Sequence, residues 1–361
     1  MHSVPEILYV ALGLRGGGAE RLLTNIILKQ KDVASITVVS LLPGGVFRRT
    51  LEEAGIRVTD LGMHKATDAL RGVFALAALI RERRPTLVYG WMYHANLLAL
   101  FALLLAGRLR TPLVWGIFCT DDHERWPSRL VRRLGAFFSR WVSGVIYNAE
   151  EARAFHQRIG FREPRSVVIS NCVDPETFRA DPRQRDELRT ELGIHPDDVV
   201  VAIVARVDPM KDWPAMREAL RDLPGVITIA VGTGTTDLPP QPGFIGLGWR
   251  DDITRILSAA DIFLLGSRFG EGTSLALAEA MLCGLPCVVT DVGGNATLTH
   301  QCGIVVEPDN VMAMREAIVR LARDPAQRRA LGKAAQARAS SLFSSSETVR
   351  QLQMLTFDVA R

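Results

Sequence analysis

Short apolar segments alternate with amphipathic segments along almost the whole chain. In the first half, apolar runs predict strands at residues 7–11, 36–41, 57–61, 87–89, 113–115 and 142–147. Stretches with apolar residues at helical spacing predict helices at 19–29, 47–53, 67–83, 95–105 and 149–159. Because helices separate most consecutive strands, this order is typical of a parallel, doubly wound α/β sheet.

The second half starts a new series with the same rhythm. Its strands are predicted at 167–170, 199–205, 226–231, 243–245, 262–265, 286–290 and 303–306, and its helices at 182–192, 214–223, 253–259, 274–283 and 310–323. Two series of similar size predict two Rossmann-like domains, 1–168 and 169–342, each with its own core. The tail 343–361 has a helical pattern and is expected to pack back towards the first domain.

Composition limits the classes of protein that this chain can belong to. Its 361 residues, 48% of them hydrophobic, suffice for two cores, and a net charge of only +4 gives no sign of a nucleic-acid partner. Five cysteines without paired short spacings predict reduced thiols and no zinc site. The N-terminus lacks the basic flank of a signal peptide, and the longest apolar run, 97–106, is shorter than the about 20 residues that cross a bilayer. We therefore expect a cytoplasmic protein.

One segment is a candidate for peripheral contact with the inner face of the cell membrane. It begins at Ser128 and ends at Trp141, and four arginines alternate there with leucines and aromatic residues. A basic helix with aromatic side chains can lie on an anionic lipid surface. The alternative is an ordinary surface helix whose apolar side packs inward.

Two carboxylates, Glu271 and Glu279, lie eight residues apart in an otherwise uncharged segment. The run after Glu271 predicts a helix with Thr273 or Ser274 as its N-cap residue. At a rise of about 1.5 Å per residue, we expect the two carboxylates about 10 Å apart, with a helix N-terminus between them. Such an N-terminus attracts anions, so the segment suits a sugar joined to a nucleoside diphosphate. The alternative is one capping acid and one buried, salt-bridged acid.

A second candidate feature is the loop after the predicted strand 199–205. It carries Arg206 and Lys211, two cations five residues apart. Ligands of open α/β sheets bind at the carboxyl ends of strands, where an arginine fork and a lysine suit a diphosphate. Both would stabilise the negative charge of a leaving group. The alternative is ordinary surface salt bridges to Asp208 and Asp212.

The loop after the first predicted strand contains three consecutive glycines, Gly16, Gly17 and Gly18. Glycines let the backbone approach a ligand and present its N–H groups. Their spacing is neither that of a dinucleotide-binding fingerprint nor that of a P-loop. A flexible turn is the alternative.

Polar and aromatic residues also follow two later strands of the first half. Trp91, Tyr93 and His94 come after the strand 87–89, where the histidine either faces a ligand or has a packing role. The cluster 120–124, which includes Asp121, is a candidate contact for a polar acceptor. Its acids are adjacent in sequence rather than helically spaced, which does not favour a metal site.

Together these segments resemble those of the GT-B-fold retaining glycosyltransferases, specifically family 4 (glycosyl transferases group 1). The Arg-x4-Lys and Glu-x7-Glu spacings are specific in combination. The matching elements occur in order over nearly the whole chain: Gly16 to Arg21, Trp91 to Asn96, Asn148-Ala149-Glu150, Arg206 with Lys211, Glu271 with Glu279, and 286–294.

The resemblance implies a role for each matching residue. Arg206 and Lys211 would bind the donor diphosphate, Glu279 the ribose hydroxyls and Glu271 the hydroxyls of the transferred sugar. His94 would lie near the anomeric carbon. The implied sets are catalytic His94, Arg206, Lys211 and Glu271; donor-binding Gly17, Gly18, Arg206, Lys211, Glu271, Gly272, Thr273, Ser274 and Glu279; and acceptor-side Trp91, Tyr93 and Asp121.

The resemblance also implies a reaction and an architecture. Two doubly wound domains would face a central cleft, the first holding a polysaccharide or lipid-linked acceptor and the second a UDP- or GDP-sugar. A hexose would move to a sugar hydroxyl with retention, without a covalent enzyme nucleophile, and the leaving phosphate would take the acceptor proton. No metal and no other cofactor is implied.

One departure and two alternatives accompany this interpretation. Cys172 stands where the family pattern Asn-Gly-(Ile/Val)-Asp has glycine, which disfavours a left-handed backbone at the domain junction. The alternatives are a nucleotide-sugar epimerase on the same fold and a catalytically inactive nucleotide-sugar-binding partner subunit. The intact Arg206, Lys211, Glu271 and Glu279 argue against the inactive subunit.

Overall fold

The structure is a computed structural model that describes residues 4–64, 68–120, 126–169 and 173–343, without the side chains of 126–128. The chain divides between residues 172 and 173 into two compact units, called the first and the second unit below. Asp121, Cys172 and the predicted helix at 343–361, apart from Phe343, lie outside the described residues.

The first unit is a seven-stranded parallel sheet with the order β3-β2-β1-β4-β5-β6-β7. A 3-10 turn at Ser139–Trp141 follows its fifth helix. The elements, in chain order, are β1 (Glu6–Ala11), α1 (Gly18–Gln30), β2 (Ser35–Ser40), α2 (Val46–Glu53), β3 (Arg57–Asp60), α3 (Ala69–Arg83), β4 (Leu87–Trp91), α4 (Tyr93–Leu105), β5 (Leu113–Ile117), α5 (Trp126–Phe138), β6 (Gly144–Tyr147), α6 (Glu150–Arg158) and β7 (Ser166–Val168).

The central strands of this sheet are covered on both faces. Every residue of β4, β5 and β6 is buried. Because successive side chains of a strand point to opposite faces, burial at every position requires packing on both sides. The continuous apolar runs of the sequence have this origin.

The second unit is a six-stranded parallel sheet with the order β10-β9-β8-β11-β12-β13. Its two 3-10 turns are Pro209–Lys211 and Thr235–Asp237. The elements are α7 (Pro182–Glu191), β8 (Val199–Val204), α8 (Trp213–Ala219), β9 (Val226–Val231), β10 (Phe244–Gly246), α9 (Ile253–Ala259), β11 (Ile262–Leu265), α10 (Leu275–Leu282), β12 (Cys287–Thr290), α11 (Asn295–Thr299), β13 (Gly303–Val306), α12 (Val311–Arg323) and α13 (Pro325–Leu342).

The structure corrects the position of one predicted strand. The run at 167–170 was expected to open the second series, but β7 pairs with β6 and is the last strand of the first sheet. The pairing joins Val145 to Ser166 and Tyr147 to Val168. The apolar pattern identifies a strand, whereas only the backbone pairing shows which sheet contains it.

The long helix α13 was not predicted, because small residues replace large apolar ones on its buried side. Gly332, Ala335 and Ala339 are buried there. A Cβ on Gly332 would lie 2.1 Å from the carbonyl oxygen of Gly284, so only glycine allows this close approach. The Gln336 side chain donates to the carbonyl of Leu282, at 3.0 Å, and joins α13 to the end of α10.

Both sheets place their first strand beside their fourth. In the first unit β1 pairs with β4, and in the second unit β8 pairs with β11. The chain reverses its direction of progress across the sheet between these strands, and ligands of open α/β sheets bind at such switch points. The loops after β1, β4, β8 and β11 are therefore the places to look for a site.

Candidate active site

The loop after β8 is a rigid turn that carries both predicted cations. The Asp208 carboxylate accepts from the backbone N–H of Met210 at 2.9 Å, and the Trp213 indole donates to the carbonyl of Arg206 at 2.8 Å. Asp212 then caps α8 by accepting from Ala215. Desolvation would raise the pKa of Asp208, but the Met210 and Arg206 hydrogen bonds outweigh it and lower that pKa.

Lys211 and Glu271 form a nearly buried ion pair across the switch point. The Lys211 ammonium donates to Glu271 Oε1, and the two side chains are only 12% and 8% exposed. The buried hydroxyl of Ser267 donates to the same carboxylate oxygen. The Ser267 carbonyl in turn accepts from the Thr290 hydroxyl at the end of β12. Three strand ends therefore fix one carboxylate in place.

The backbone around Glu271 rests on the loop after β12. The Gly294 N–H donates to the carbonyl of Gly272 at 2.7 Å. Gly293 has a φ of +58°, and a Cβ on it would lie 2.0 Å from the carbonyl oxygen of Glu271. The contact requires glycine for both its conformation and its size.

Glu279 is the one charged residue of α10, and it is 2% exposed. Ser274 is the N-cap residue of this helix and accepts from Leu277, which confirms one of the two predicted caps. Burial, and then the nearby charge of Glu279, raises the pKa of Cys283 to about 12. A buried acid on an apolar helix indicates a specific role, because burying a carboxylate without compensation is costly.

Arg206 does not join the Lys211–Glu271 pair. Its guanidinium Nε donates to Asp208 at 3.0 Å, and its side chain is 49% exposed. This pair is one of the surface salt bridges that were given above as the alternative to diphosphate binding. Lys211, in contrast, pairs with Glu271 and not with Asp208 or Asp212. Gly272 is buried and Thr273 is half-buried beside Glu271.

In the first unit, the two glycines that were predicted to bind the donor lie at the N-terminus of a helix. Gly17 is the N-cap residue of α1 and Gly18 is its first residue, with no side-chain cap. A Cβ on Gly17 would meet only the flexible carboxylate of Glu20, at 2.1 Å. The Glu20 carboxylate therefore lies beside the N-cap position of α1.

The other predicted residues of the first unit divide into exposed and buried positions. His94 is exposed on α4, and desolvation by its neighbours lowers the pKa of its imidazole. Trp91 and Tyr93 are 2% and 6% exposed. Both side chains therefore pack in the interior next to His94, and their acceptor-side role stays a prediction.

Sequence reasoning missed Ser267, Thr290 and His156. Ser267 and Thr290 are polar residues next to the ends of apolar strands, a signal that could have identified them. Within the described residues, no group of three or more His, Cys, Asp or Glu side chains could hold a metal ion. No helix in the described part of the chain is long and apolar enough to cross a membrane.

Two family models match this chain. The one described as Glycosyltransferase Family 4 matches residues 16–177, and the one described as Glycosyl transferases group 1 matches residues 201–324. The chain is 26% identical over 275 residues to the UDP-Gal:alpha-D-GlcNAc-diphosphoundecaprenol alpha-1,3-galactosyltransferase of Escherichia coli, covering 71% of each chain. It is 29% identical over 300 residues to the GDP-mannose-dependent monoacylated alpha-(1-6)-phosphatidylinositol monomannoside mannosyltransferase of Corynebacterium glutamicum, covering 75% of this chain and 76% of that one.

Solved structures share the fold at lower identity. The crystal structure of Anabaena HepE in complex with UDP-glucose has a TM-score of 0.87 and 24% identity, covering 98% of this chain and 100% of that chain. Sucrose-phosphate synthase from Thermosynechococcus elongatus has a TM-score of 0.83 and 16% identity, covering 98% and 99%. The fold is therefore the predicted GT-B fold, with two doubly wound parallel sheets in one chain.

The two family models define an enzyme of the glycosyltransferase class. The chain belongs to the family 4 glycosyltransferases, the glycosyl transferases group 1, and is a hexosyltransferase.

Proposed function

We propose that this enzyme moves a sugar from a UDP- or GDP-sugar to a sugar hydroxyl of a polysaccharide or lipid-linked acceptor, with retention at the anomeric carbon. The observation that carries the proposal is the buried group of Lys211, Glu271 and Ser267 at the switch point of the second unit. A cation beside an oriented carboxylate suits a ligand that has both phosphate and hydroxyl groups.

The named relatives support the choice of donor and acceptor class. The Escherichia coli relative is named for a UDP-sugar and a diphosphoundecaprenol-linked acceptor, and the Corynebacterium relative for GDP-mannose and a phosphatidylinositol mannoside. Both acceptors are lipid-linked. The HepE structures hold UDP, glucose or UDP-glucose.

In the second unit, we assign Lys211 and Arg206 to the donor diphosphate, Glu271 to the transferred sugar and Glu279 to the ribose. Arg206 can turn to a phosphate by leaving Asp208 at little cost, because a half-exposed pair is worth at most about 1 kcal/mol. The N–H groups of Gly272, Thr273 and Ser274 lead into α10 and suit an anion. Gly17, Gly18 and His94 lie in the first unit, and their roles towards the donor remain predictions.

In the proposed reaction, the acceptor oxygen bonds to the anomeric carbon as the bond from that carbon to the diphosphate oxygen breaks. The acceptor proton passes to the leaving phosphate, so no covalent enzyme nucleophile takes part. Lys211 and Arg206 stabilise the charge that develops on the diphosphate. In this proposal the two cations do so without a metal ion.

Binding and turnover measurements on paired variants test this function. A thermal-shift screen of nucleoside diphosphates should raise the melting temperature with UDP or GDP, because a ligand that binds the native state stabilises it. Glu279→Ala and Arg206→Ala should remove that shift and most transfer activity, while Glu316→Ala, an exposed acid on α12, should keep both. Full turnover in Glu279→Ala or Arg206→Ala would contradict the assignment.

Product analysis separates the transferase from the two alternatives. Incubation of the nucleotide sugar without acceptor yields an epimeric nucleotide sugar only if the enzyme is an epimerase. Donor binding without transfer or hydrolysis across a broad acceptor panel indicates an inactive partner subunit. Retention is read from the anomeric configuration of the first-formed product.

We also propose a cytoplasmic enzyme that touches an anionic membrane surface through the end of α5. Phe137 and Trp141 are 51% and 57% exposed, and the Arg140 guanidinium lies 5.1 Å and 5.2 Å from their ring centroids. Leu130 and Leu134 are exposed on the same helix. Exposed apolar side chains with a cation among them suit the boundary between lipid headgroups and acyl chains.

Co-sedimentation with vesicles tests the membrane contact. The enzyme should bind anionic phospholipid vesicles at low salt, bind less at high salt because ions screen the attraction, and not bind neutral vesicles. Phe137→Ser with Trp141→Ser should reduce binding, whereas Phe74→Ser, which removes an exposed aromatic ring from α3, should not. No binding at low salt would remove the proposal.

A further inference from the structure

The backbone at the end of β4 has an unusual conformation. Met92 has φ of +69° and ψ of 162°, a region that is essentially restricted to glycine. It lies between Trp91, the last residue of β4, and Tyr93, the first residue of α4. Strained residues persist only where their surroundings hold them, and they cluster at functional sites.

The residue before Met92 is held from both sides. The Trp91 indole donates to the carbonyl of Ala19 in α1, at 2.8 Å, and its ring lies 4.4 Å from that of Phe118. The Met92 N–H donates to Gly116 of β5 at 2.9 Å, and the Met92 carbonyl accepts from Asn96. These contacts therefore hold the first residues of the strained turn in place.

The residue after Met92 belongs to a buried hydrogen-bonded group of Tyr93, His156 and Cys119, called the Tyr93 cluster. The Tyr93 hydroxyl lies 2.6 Å from Nε2 of His156, and Nδ1 of His156 lies 2.7 Å from the carbonyl oxygen of Ala152. A carbonyl only accepts, so Nδ1 carries the proton and Nε2 accepts from the phenol. The half-buried Cys119 thiol donates to the Tyr93 oxygen at 3.4 Å.

His156 is fully buried, and packing alone would be served by an apolar side chain. Its 0% exposed imidazole instead accepts a hydrogen bond from the phenol hydroxyl and holds the Tyr93 ring in one position. Successive helical residues lie at a fixed angle to one another, so a fixed Tyr93 determines where the exposed His94 projects.

We propose that the Tyr93–His156 hydrogen bond is a positioning device that maintains the strained Met92 turn and thereby fixes the direction in which His94 projects from α4. His156 and Tyr93 are positioning residues, and His94 is the group they position. This inference rests on the proposed function together with the prediction, from the family resemblance, that His94 is catalytic.

Kinetics of matched variants test the inference. Tyr93→Phe and His156→Leu should lower kcat about tenfold, which corresponds to ~1.4 kcal/mol, with the donor KM within about twofold of wild type. His156→Gln places an amide oxygen near the former position of Nε2, where it can accept from the phenol. This variant should therefore retain most of the kcat that His156→Leu loses. Tyr147→Phe removes the hydroxyl of another tyrosine beside the same imidazole and should retain wild-type kcat. Equal kcat in Tyr93→Phe and wild type would overturn the inference.

A measurement that needs no activity keeps the inference separate from the proposed function. The pKa of His94 is followed by NMR in wild type and in Tyr93→Phe, after both are shown to be folded by circular dichroism. Release of the turn should hydrate His94 and move its pKa up towards 6.5. An unchanged pKa of His94 in Tyr93→Phe overturns the positioning role. If the wild-type enzyme transfers no sugar but the pKa of His94 still rises in Tyr93→Phe, only the proposed function is contradicted.

Discussion

The two units share a strand order but hold their switch-point loops by different interactions. In the second unit, the loops after β8 and β11 are joined by the Lys211–Glu271 ion pair and the Ser267 hydroxyl. In the first unit, the Trp91 indole joins the end of β4 to the start of α1, and the Tyr93 cluster holds the start of α4. One arrangement is charged and the other is aromatic and neutral.

This difference shows that the scaffold specifies where a site lies, while the loops specify its chemistry. Charged groups at the second switch point suit the phosphates and hydroxyls of a donor. Aromatic groups and neutral hydrogen bonds at the first switch point suit a turn that is held by packing rather than by charge. Four changes test the contrast, from the largest expected effect to the smallest.

Breaking the charged arrangement should have the largest effect. Lys211→Met leaves the Glu271 carboxylate buried without its cation, which costs about 3–5 kcal/mol of unfolding free energy. Transfer should fall by about a hundredfold or more, because a stabiliser of the leaving group is lost. Denaturant unfolding and steady-state kinetics measure both effects.

The double variant Lys211→Met with Glu271→Gln is the control for that change. It should recover most of the stability, since neither member of the former pair is charged, and none of the activity. Unfolding free energy in Lys211→Met equal to that of wild type would show that the pair does not stabilise the second unit.

Acid should weaken the aromatic arrangement of the first unit. Burial, opposed by the Ala152 carbonyl and assisted by the charge of Arg132, lowers the pKa of His156 to about 4 from an ordinary 6.5. As pH falls below 6.5, the unfolded chain takes up the proton first, so this stability is full above pH 6.5 and is lost between 6.5 and 4. The loss is about 3 kcal/mol at 1.36 kcal/mol per pKa unit.

Unfolding curves of wild type and His156→Gln at pH 7 and pH 5 isolate this effect from the titration of carboxylates. The variant should lose less stability on acidification than wild type does. His195→Gln, which removes an exposed histidine of the second unit, should follow wild type. An equal loss of unfolding free energy between pH 7 and pH 5 in wild type and His156→Gln would contradict the prediction.

Glycine replacements compare the backbone contacts of the two units. Gly293→Ala places a Cβ against the Glu271 carbonyl at a left-handed φ, so it should cost at least about 1–2 kcal/mol and lower transfer. Gly17→Ala meets only the movable Glu20 carboxylate and has an extended φ, so its stability should change by less than about 0.5 kcal/mol. Equal melting temperatures for the two variants would remove this distinction.

The exposed ion pair should matter least to stability. Asp208→Asn weakens the hold on Arg206, and a half-exposed pair contributes less than about 1 kcal/mol. Arg221→Ala, which breaks another exposed pair with Glu218, is the comparison. A loss in Asp208→Asn as large as that in Lys211→Met would show that the two cations are equally important to the fold.

The pattern of apolar residues was sufficient for most strands and helices because parallel strands buried on both faces read as continuous apolar runs. It failed at α13, whose buried side is made of small residues, and it placed β7 in the wrong sheet. Two acids in an otherwise uncharged segment drew attention to Glu271 and Glu279, and a position after a strand drew attention to Lys211, but their roles towards a donor stay predictions.

The amino-acid sequence by itself determined the two-unit α/β fold and the residues that carry charge at the strand ends. Only the tertiary structure decided that Lys211 pairs with Glu271 rather than with Asp208, that Ser267 shares that carboxylate, and that His156 holds Tyr93. These partners lie 60, 4 and 63 residues apart in the chain. Local pattern reports which face of an element is buried, whereas contacts between distant residues exist only after strand order and register have formed.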